Sequence, residues 1–354
     1  MHLKRFFAIL LALILTLSLS ACSTSPDPTI DSSDDTSSVV SDVEEEKPEE
    51  PQKYLNTLTG ELSLTDSTAT SKKPVAITIN NVRTAQSVQT GLTQADVVFE
   101  TEVEGGITRL LALFADPTVV GKIGTVRSLR VPFAEIARGM GAVLFFHGID
   151  EDYCRPVLKS LDISYLEIDA KVYGQREKNG KAYEHTLYTS GEKLDKAIKN
   201  KKMKYDGSSK TWLNFSETAE KVAPTGNVAN TITAPFSSSY QTQFLYDSET
   251  GKYIRARKGT PFTDYVSGEK EYFSNVFILE TNISDYPDHY HRKVDLSSGN
   301  GYYASAGGYT AIKWTKGDAE DSFKFTLADG SALTVNQGNS YVCIIDKSRD
   351  PKFE

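Results

Sequence analysis

The stretch from residue 95 to residue 130 constrains the fold of this chain more than any other part of the sequence. Val97–Glu104 has the alternating composition of a strand, in which successive side chains point to opposite faces. Gly105 and Gly106 follow it, and this pair predicts a two-residue hairpin turn because both central positions of a type I′ turn need positive φ. Such a turn places Glu104 opposite Ile107 and defines the register of the hairpin.

The predicted hairpin brings a row of acidic side chains close to basic ones. Alternation puts three carboxylates on one face, the register puts Glu102 opposite Arg109, and two more arginines follow on a glycine-containing loop. The residues are Glu100, Glu102, Glu104, Arg109, Arg127 and Arg130. Two interpretations stay open. Carboxylates in unequal environments can perform acid–base chemistry, and arginines before a helix can hold an anion, whereas a network of ion pairs would be purely structural.

The N-terminus predicts where the protein resides. Lys4 and Arg5 precede an apolar run over residues 6–19, and a small-residue cleavage site ends at Cys22. This pattern is typical of a bacterial lipoprotein signal, in which residues 1–21 are removed and the thiol of Cys22 is acylated. The apolar run is too short for an ordinary membrane-spanning helix. The sequence therefore predicts a protein held by lipid on the outer face of the cytoplasmic membrane.

Charge and motif content argue against several classes of function. The formal net charge is −8 for the whole chain and becomes −10 once Lys4 and Arg5 leave with the signal, which argues against a general affinity for nucleic acid or anionic lipid. The sequence contains no CxxC, HxxH or HExxH motif, so neither a metal nor a cofactor is expected. Cys154 and Cys343 are predicted to be two separate buried thiols.

The order of composition along the chain predicts two folded units. Residues 22–53 are rich in Ser, Asp, Glu and Pro and read as a disordered tether. In residues 54–205 strands alternate with helices, which predicts a layered α/β domain with a mixed sheet. Residues 206–235 are predicted as a linker, residues 236–347 as a small, mostly antiparallel β domain, and residues 348–354 as a tail.

Local signals predict several element boundaries. Val131 and Pro132 predict the start of one helix, and Asp150 and Ser190 are typical N-caps of two others. In the second unit, residues 328–330 predict a three-residue hairpin loop with glycine in the left-handed region. That loop would set Phe325 opposite Leu333 and Phe323 opposite Val335.

Several stretches of the sequence resemble a known family. In the first unit they are residues 74–81, 91–100, 103–109, 122–130, 182–185 and 187–190, and in the second unit 275–276, 313–316 and 338–342. Together they resemble the N-terminal domain and the smaller C-terminal domain of the YerB-like lipoproteins of Gram-positive bacteria, over about residues 70 to 347. The resemblance implies an α/β layered domain followed by a small β domain. It implies no activity, because the role of the family is unassigned. One departure from the family pattern falls at residues 288–293, where an Asp and a Gly-Arg step are expected.

Two groups of histidines are further candidates for a site. His147 is predicted just past the carboxyl end of a buried strand, which is the usual ligand side of an open α/β sheet. His185 has Glu184 beside it, so the two histidines could be a base and its orienting group, two metal ligands, or ordinary hydrogen-bonded residues. His289 and His291 would face the same side if they lie on a strand.

The favoured function is a non-catalytic binding or accessory protein of the cell envelope, anchored through Cys22. Its ligand would be a glycan, a peptide end or a wall-polymer phosphate, or its partner an envelope protein. The predicted ligand-binding residues are Arg109, Arg127, Arg130, His147 and His185. One alternative is a hydrolase or transferase acting on envelope polymer, with catalytic candidates Glu100, Glu104, His147 and His185. The other is a structural partner of a membrane complex.

Overall fold

Strands dominate the part of the protein that the computed structural model describes, which is residues 52–207 and 211–354. The α-helices are α1 (Arg83–Gln86), α2 (Val131–Gly139), α3 (Cys154–Ser160) and α4 (Gly191–Asn200). Within the described residues, none of the helices has the length and apolarity needed to cross a membrane. The predicted signal peptide, Cys22 and residues 22–51 of the predicted tether lie outside the described residues.

The strands are numbered in chain order. Those before residue 200 are β1 (Tyr54–Leu55), β2 (Leu62–Leu64), β3 (Val75–Asn80), β4 (Val97–Glu104), β5 (Ile107–Phe114), β6 (Lys122–Gly124), β7 (Val143–Phe146), β8 (Tyr165–Glu167), β9 (Gln175–Arg176) and β10 (Leu187–Ser190). Those after residue 200 are β11 (Asn214–Phe215), β12 (Asn227–Val228), β13 (Thr231–Pro235), β14 (Gln241–Asp247), β15 (Lys252–Arg257), β16 (Thr260–Pro261), β17 (Tyr272–Phe273), β18 (Asn275–Thr281), β19 (Ile283–Asp285), β20 (Arg292–Val294), β21 (Ser298–Ser305), β22 (Gly308–Thr315), β23 (Lys324–Leu327), β24 (Thr334–Val335), β25 (Ser340–Asp346) and β26 (Lys352–Phe353).

A central sheet of 11 strands runs through both predicted units, in the order β12-β22-β21-β18-β25-β4-β5-β3-β7-β8, with β23 paired to β22. Strand β25, from the end of the chain, is parallel to both β18 and β4. Strand β5 is antiparallel to β4 and β3, and β7 and β8 are parallel to β3. The strands β3, β4, β7, β8, β18 and β25 therefore all point in one direction, and their carboxyl ends meet at one edge.

Alternation along the central strands places apolar side chains on both faces of the sheet. On one face, Phe99 and Leu111 pack in a core with α2, α3 and Trp212. On the other face, Val98 and Ala112 pack in a second core with α4 and with a six-stranded sheet built from β13 to β17 and β26. Because both faces are covered, the central strands are buried along almost their whole length.

The fold is mostly β, and the layered α/β description predicted for the first unit is not confirmed. Its helices are short, and one face of the central sheet is covered largely by a second sheet instead of by helices. The second unit is mixed, because β18 and β25 are parallel neighbours. Residues 206–235, predicted as a linker, contain β11, β12 and β13, and residues 348–354, predicted as a tail, contain β26, which pairs with β13.

The β4–β5 hairpin confirms one predicted register position and corrects another. Glu104 lies opposite Ile107, as the two-residue turn predicts, and both turn glycines have positive φ. A bulge between Glu102 and Glu104 then shifts the register by one residue, so Thr101 instead of Glu102 lies opposite Arg109. A bulge adds one residue to one strand, which changes every pairing beyond it.

Other local predictions are confirmed. Helix α2 starts at Val131, and the hydroxyl of Ser190 caps α4 by accepting from the Lys193 amide. Gly330 has φ +87°, and the Leu333 amide donates to the Phe325 carbonyl at 3.3 Å, as the bulged hairpin loop predicts. Cys154 and Cys343 are both free and buried. Burial raises the pKa of the Cys154 thiol to about 12, so the thiol stays protonated at neutral pH and is a poor nucleophile.

Candidate functional site

The carboxyl edge of the central sheet gathers most of the predicted site residues. Asn80 ends β3, Glu104 ends β4, and His147 follows directly after β7. Gly148, with φ +85°, lets the chain after β7 pass against Ser128, where a side chain would clash. The carboxyl edge is where open sheets with parallel strands hold their ligands, so the fold places these residues where a site is expected.

Glu104 is clamped between two arginines at this edge. Its Oε1 lies 2.7 Å from Nη2 of Arg109, and Arg130 donates from Nε at 2.8 Å and from Nη2 at 3.0 Å. Burial raises the pKa of the Glu104 carboxyl, but the two arginines outweigh burial and hold that pKa below its usual range. Glu104 is therefore ionised and its lone pairs are used, so it is poorly suited to accept a proton from a substrate.

The Nη1 groups of these two arginines also have partners. Arg109 donates from Nη1 to the Ser128 carbonyl at 2.9 Å, and Arg130 donates from Nη1 to the Leu129 carbonyl at 2.9 Å. Burial lowers the pKa of Arg109 to about 10, which still leaves it charged at neutral pH. A ligand would have to compete with Glu104 for Arg109 and Arg130. These two arginines therefore support the structure of the site and are poorly placed to bind the predicted ligand.

Glu100 lies away from this site, in the interior of the protein. Its Oε1 accepts from Asn81 Nδ2 at 2.8 Å and Thr108 Oγ1 at 2.7 Å, and its Oε2 accepts from Thr242 Oγ1 at 2.8 Å and the Tyr341 hydroxyl at 2.6 Å. With four donors around a carboxylate that is 1% exposed, no face of Glu100 is open to a substrate. The structure gives Glu100 no place as a catalytic base.

Glu102 has a partner that the sequence analysis did not find. Its Oε1 lies 2.7 Å from Nε of Arg292, which also pairs with Asp285. The expected pairing of Glu102 with Arg109 is wrong, because the bulge moves Arg109 opposite Thr101. The acidic row is therefore split among three partners: a polar interior for Glu100, Arg292 for Glu102, and the paired arginines for Glu104.

Arg127 is the exception among these charged groups. Its backbone is held, because its amide donates to the Thr78 carbonyl and its carbonyl accepts from the His147 amide, each at 3.1 Å. Its half-buried guanidinium has no hydrogen-bond or ion-pair partner within residues 52–207 and 211–354, and its Nε is fully buried. Burial lowers the pKa of Arg127, and the charges of Glu184 and Glu104 oppose part of that shift. Arg127 is therefore a positioned cation with unused donors.

His147 lies beside Arg127 and is held in one tautomer. Its Nδ1 lies 2.8 Å from the Ile168 carbonyl, and its Nε2 lies 3.0 Å from Nη2 of Arg176. A carbonyl only accepts and a guanidinium only donates, so Nδ1 carries the proton and Nε2 accepts. His147 is neutral in this arrangement. Arg176 is in turn fixed by the Tyr183 carbonyl at 2.7 Å and by the Tyr183 ring, whose centroid is 3.8 Å away.

His185 is buried, and its ring interacts electrostatically with Arg127. Its Nδ1 lies 2.7 Å from Asn80 Nδ2, its Nε2 lies 3.2 Å from Thr84 Oγ1, and Glu184 Oε1 is 3.8 Å from Nε2. Burial lowers the pKa of His185, and the charge of Glu184 opposes only part of that shift. Neither His147 nor His185 forms a hydrogen bond with Glu100 or Glu104 in the described part of the chain, so these four catalytic candidates are not paired with one another.

The lowered pKa of His185 predicts a pH dependence of stability. Below its ordinary pKa of about 6.5, the unfolded chain takes up a proton at this residue more readily than the folded chain does. We expect the free energy of unfolding to fall as the pH drops from about 6.5 toward the lowered pKa of His185 in the folded chain, by at most about 1.4 kcal/mol per pH unit from this residue. Urea unfolding at several pH values in this range measures the slope. His185→Gln should lose this part of the pH dependence, and equal slopes for the two proteins would contradict the assignment.

The second histidine group, His289 and His291, is not aligned by a strand. His289 lies in a bend with φ +53°, so strand alternation does not place it beside His291. His291 Nδ1 pairs with Asp288 Oδ2 at 2.6 Å. No cluster of three or more His, Cys, Asp or Glu side chains suited to a metal ion occurs in residues 52–207 and 211–354.

Comparisons with known proteins assign the family. Residues 58–204 match the N-terminal domain, and residues 232–342 the C-terminal domain, of the family described as "Protein of unknown function (DUF3048)". A relative from Bacillus subtilis (strain 168), "Putative lipoprotein YerB", is 27% identical over 305 residues, which is 84% of this chain and 88% of that protein. The chain belongs to the YerB-like family. The crystal structure of YerB protein from Bacillus subtilis matches with a TM-score of 0.72 at 25% identity, over 85% of this chain and 100% of that one. The resemblance found in the sequence is thereby confirmed.

Two partners in the site of this YerB-like chain were not predicted from the sequence. Asn80 was visible as the end of a strand, but nothing in the sequence connects it with His185, 105 positions away. Arg176 lies in a segment of mixed polarity without a motif, and only the fold brings it to His147. The predicted residues Arg109, Arg127, Arg130, His147 and His185 are brought to the same edge, whereas Glu100 is not.

Proposed function

We propose that the protein is a lipid-anchored, extracytoplasmic binding protein of the cell envelope, and that Arg127 takes an anionic group of its ligand. The observation that supports this most directly is the unused guanidinium of Arg127 at the carboxyl edge of the central sheet. An unsatisfied buried donor costs about 1–3 kcal/mol. A ligand carboxylate or phosphate would satisfy it through charge-assisted hydrogen bonds.

The charges around Arg127 favour an anion. Glu104 is neutralised by Arg109 and Arg130, so this trio has one surplus positive charge. Arg127 and Arg176 add two more, against the half-exposed carboxylate of Glu184. The neutral tautomer of His147 and the lowered pKa of His185 add no charge at neutral pH. The whole chain has a net charge of −8, so its overall field repels anions. The positive charge around Arg127 is therefore a local property of this site.

A binding role is favoured over acid–base catalysis because both candidate carboxylates are occupied. Glu104 is in a bidentate pair with Arg130, and Glu100 is enclosed by four donors. Glycans, peptide ends and wall-polymer phosphates remain the candidate ligands, of which the last two carry the anionic group that Arg127 requires. The proposed location outside the cell is supported by the N-terminal pattern ending at Cys22 and by the description of the Bacillus subtilis relative as a "Putative lipoprotein".

The ligand proposal is tested by thermal unfolding of the mature chain made without lipid by Cys22→Ser. We expect at least one of inorganic phosphate and solubilised cell-wall fragments to raise the Tm, and Arg127→Gln to diminish that rise. The unliganded variant should stay within about 1 kcal/mol of the parent, since Arg127 has no partner to lose. Arg138→Gln, at the far end of α2, is the matched control and should keep the rise. An undiminished rise in Arg127→Gln would contradict the proposal.

The anchor is tested separately by fractionating cells that express the whole chain. Acylation of Cys22 should place the protein in the membrane fraction, accessible to protease added outside intact cells, because two acyl chains bind a bilayer stably whereas one does not. Cys22→Ala should release it into the soluble or secreted fraction. Equal membrane retention of both proteins would contradict lipid anchoring through this thiol.

A further inference from the structure

A second group of cations lies away from the Arg127 site, between α1 and the six-stranded sheet. Two cavities, of about 350 Å³ and about 640 Å³, share four lining residues. The shared residues are Arg83, Gln86, Arg257 and Lys258. Since the cavities share this wall, they form one groove, which we name the basic groove. It is built from both halves of the chain, with Arg83 on α1 and Arg257 at the end of β15.

The three cations of the basic groove have no acidic partners. Within the described residues, no carboxylate lies within ion-pair distance of Arg83, Arg257 or Lys258. The acidic residue on the walls of the groove, Asp264, is buried and its carboxylate is already used. It accepts from Thr90 Oγ1 at 2.9 Å and from the amides of Gly91, Val266 and Ser267 at 2.6, 2.9 and 3.0 Å. Against this one carboxylate, the three cations leave the groove with an excess of positive charge.

The two guanidiniums are positioned by neutral groups. Arg83 donates to the Ser239 carbonyl and lies over the ring of Tyr240, with 5.0 Å to the centroid. Arg257 donates from Nη1 to Oε1 of Gln86. These contacts orient each planar group without neutralising it, and they leave other N–H donors unused. An oriented guanidinium with free donors is the arrangement that binds phosphate bidentately.

We propose that the basic groove binds the phosphate groups of a phosphorylated ligand. The excess of positive charge in the groove matches the charge of a phosphate better than that of a single carboxylate. Two adjoining cavities leave room for successive phosphates of one chain. The phosphates could belong to a phosphodiester polymer or to lipid headgroups, which present the same chemistry. The inference does not rest on the Arg127 site, because the two sites share no residue.

The test is calorimetric titration of the mature chain carrying Cys22→Ser with tripolyphosphate. The double variant Arg83→Gln/Arg257→Gln should bind at least tenfold more weakly, and Lys258→Gln, whose exposed side chain is not needed for folding, at least threefold more weakly. Binding should weaken as salt is added. Lys324→Gln on β23 should bind like the parent, and Arg127→Gln should keep the binding that the groove variants lose. If the parent does not bind, if the groove variants bind like the parent, or if only Arg127→Gln weakens binding, the inference is overturned.

Two further arms identify the source of the phosphate. Co-sedimentation with phosphatidylglycerol vesicles but not phosphatidylcholine vesicles, lost in Lys258→Gln, would support lipid headgroups. Binding of a soluble glycerol phosphate polymer, lost in the same variant while the vesicles stay unbound, would support a polymer. Failure of both arms would overturn the inference even if tripolyphosphate binds. If the groove variants disprove this inference, the proposal for Arg127 still stands, because Arg127→Gln is tested separately by thermal unfolding.

Discussion

A chain that ends at residue 205 is expected to remain unfolded, although it contains the whole segment matched by the N-terminal family model. Strand β25 lies between β18 and β4 and pairs with β4 from Ser340 to Ile344, so the truncation leaves a central strand with an open edge. It also uncovers Phe99 and Val98, which lose the apolar partners that the second half supplies on both faces. Each buried apolar side chain contributes about 1.5–3 kcal/mol, and a whole domain is stable by only about 5–15 kcal/mol.

Circular dichroism and urea unfolding measure this outcome. We expect no cooperative transition for residues 52–205 and a single transition for residues 52–354. Supplying residues 206–354 as a second chain is the control, because it should restore cooperative unfolding if the missing strands are the cause. A cooperative, soluble fragment ending at residue 205 would show that the two halves fold independently, against the shared sheet.

Replacing Arg255 by methionine is expected to destabilise the protein by about 3–5 kcal/mol. Arg255 is fully buried and donates to Glu271 at 2.8 Å, to Asn81 at 2.8 Å and to Gln89 at 3.2 Å. Burial raises the pKa of Glu271, and Arg255 is the partner that opposes this shift. Methionine fills a similar volume but leaves Glu271, 1% exposed, without its counter-ion. Arg255 also holds the first half of the chain to the second, since Asn81 and Gln89 come from the first.

Urea unfolding of matched variants separates this pair from an ordinary surface pair. Arg155→Met removes an arginine that pairs with Glu151 on the surface, and should cost less than about 1 kcal/mol. The double variant Arg255→Met/Glu271→Gln should recover part of the loss, because the unpaired charge is then absent. A loss for Arg255→Met no larger than for Arg155→Met would mean that the buried pair does not hold the halves together.

Local chemistry explains which parts of the fold were predictable. The turn at Gly105 and Gly106, the helix start at Val131 and the loop ending at Gly330 follow from backbone preferences of the residues themselves. The bulge before Glu104 does not follow from them, and the bridge that Glu104 forms there with His291 joins residues distant in sequence. The shift of one residue removes Glu102 from its predicted position opposite Arg109.

Long-range pairing explains what was missed. The composition change near residue 206 suggested separate units, but it carries no information on which strand edges pair, so the insertion of β25 between β18 and β4 was not foreseen. Nothing in the sequence marked Arg255 or Glu271, and only tertiary packing buries them. The sequence predicted Arg127 as one of five ligand-binding residues, and nothing in the sequence set it apart from the other four. The structure distinguishes it, because its neighbours Arg109 and Arg130 are committed to Glu104.

The central claim, that Arg127 is the free cation of a binding site, is tested most directly by NMR of the arginine Nε–H groups. The sample is the ¹⁵N-labelled mature chain carrying Cys22→Ser, with Arg127→Gln and Arg130→Gln used to assign the resonances. On addition of inorganic phosphate or solubilised cell-wall fragments, the account predicts a shift of the Arg127 resonance, whereas those of Arg109 and Arg130 stay in place. An Arg127 resonance that none of these additions moves would contradict the account.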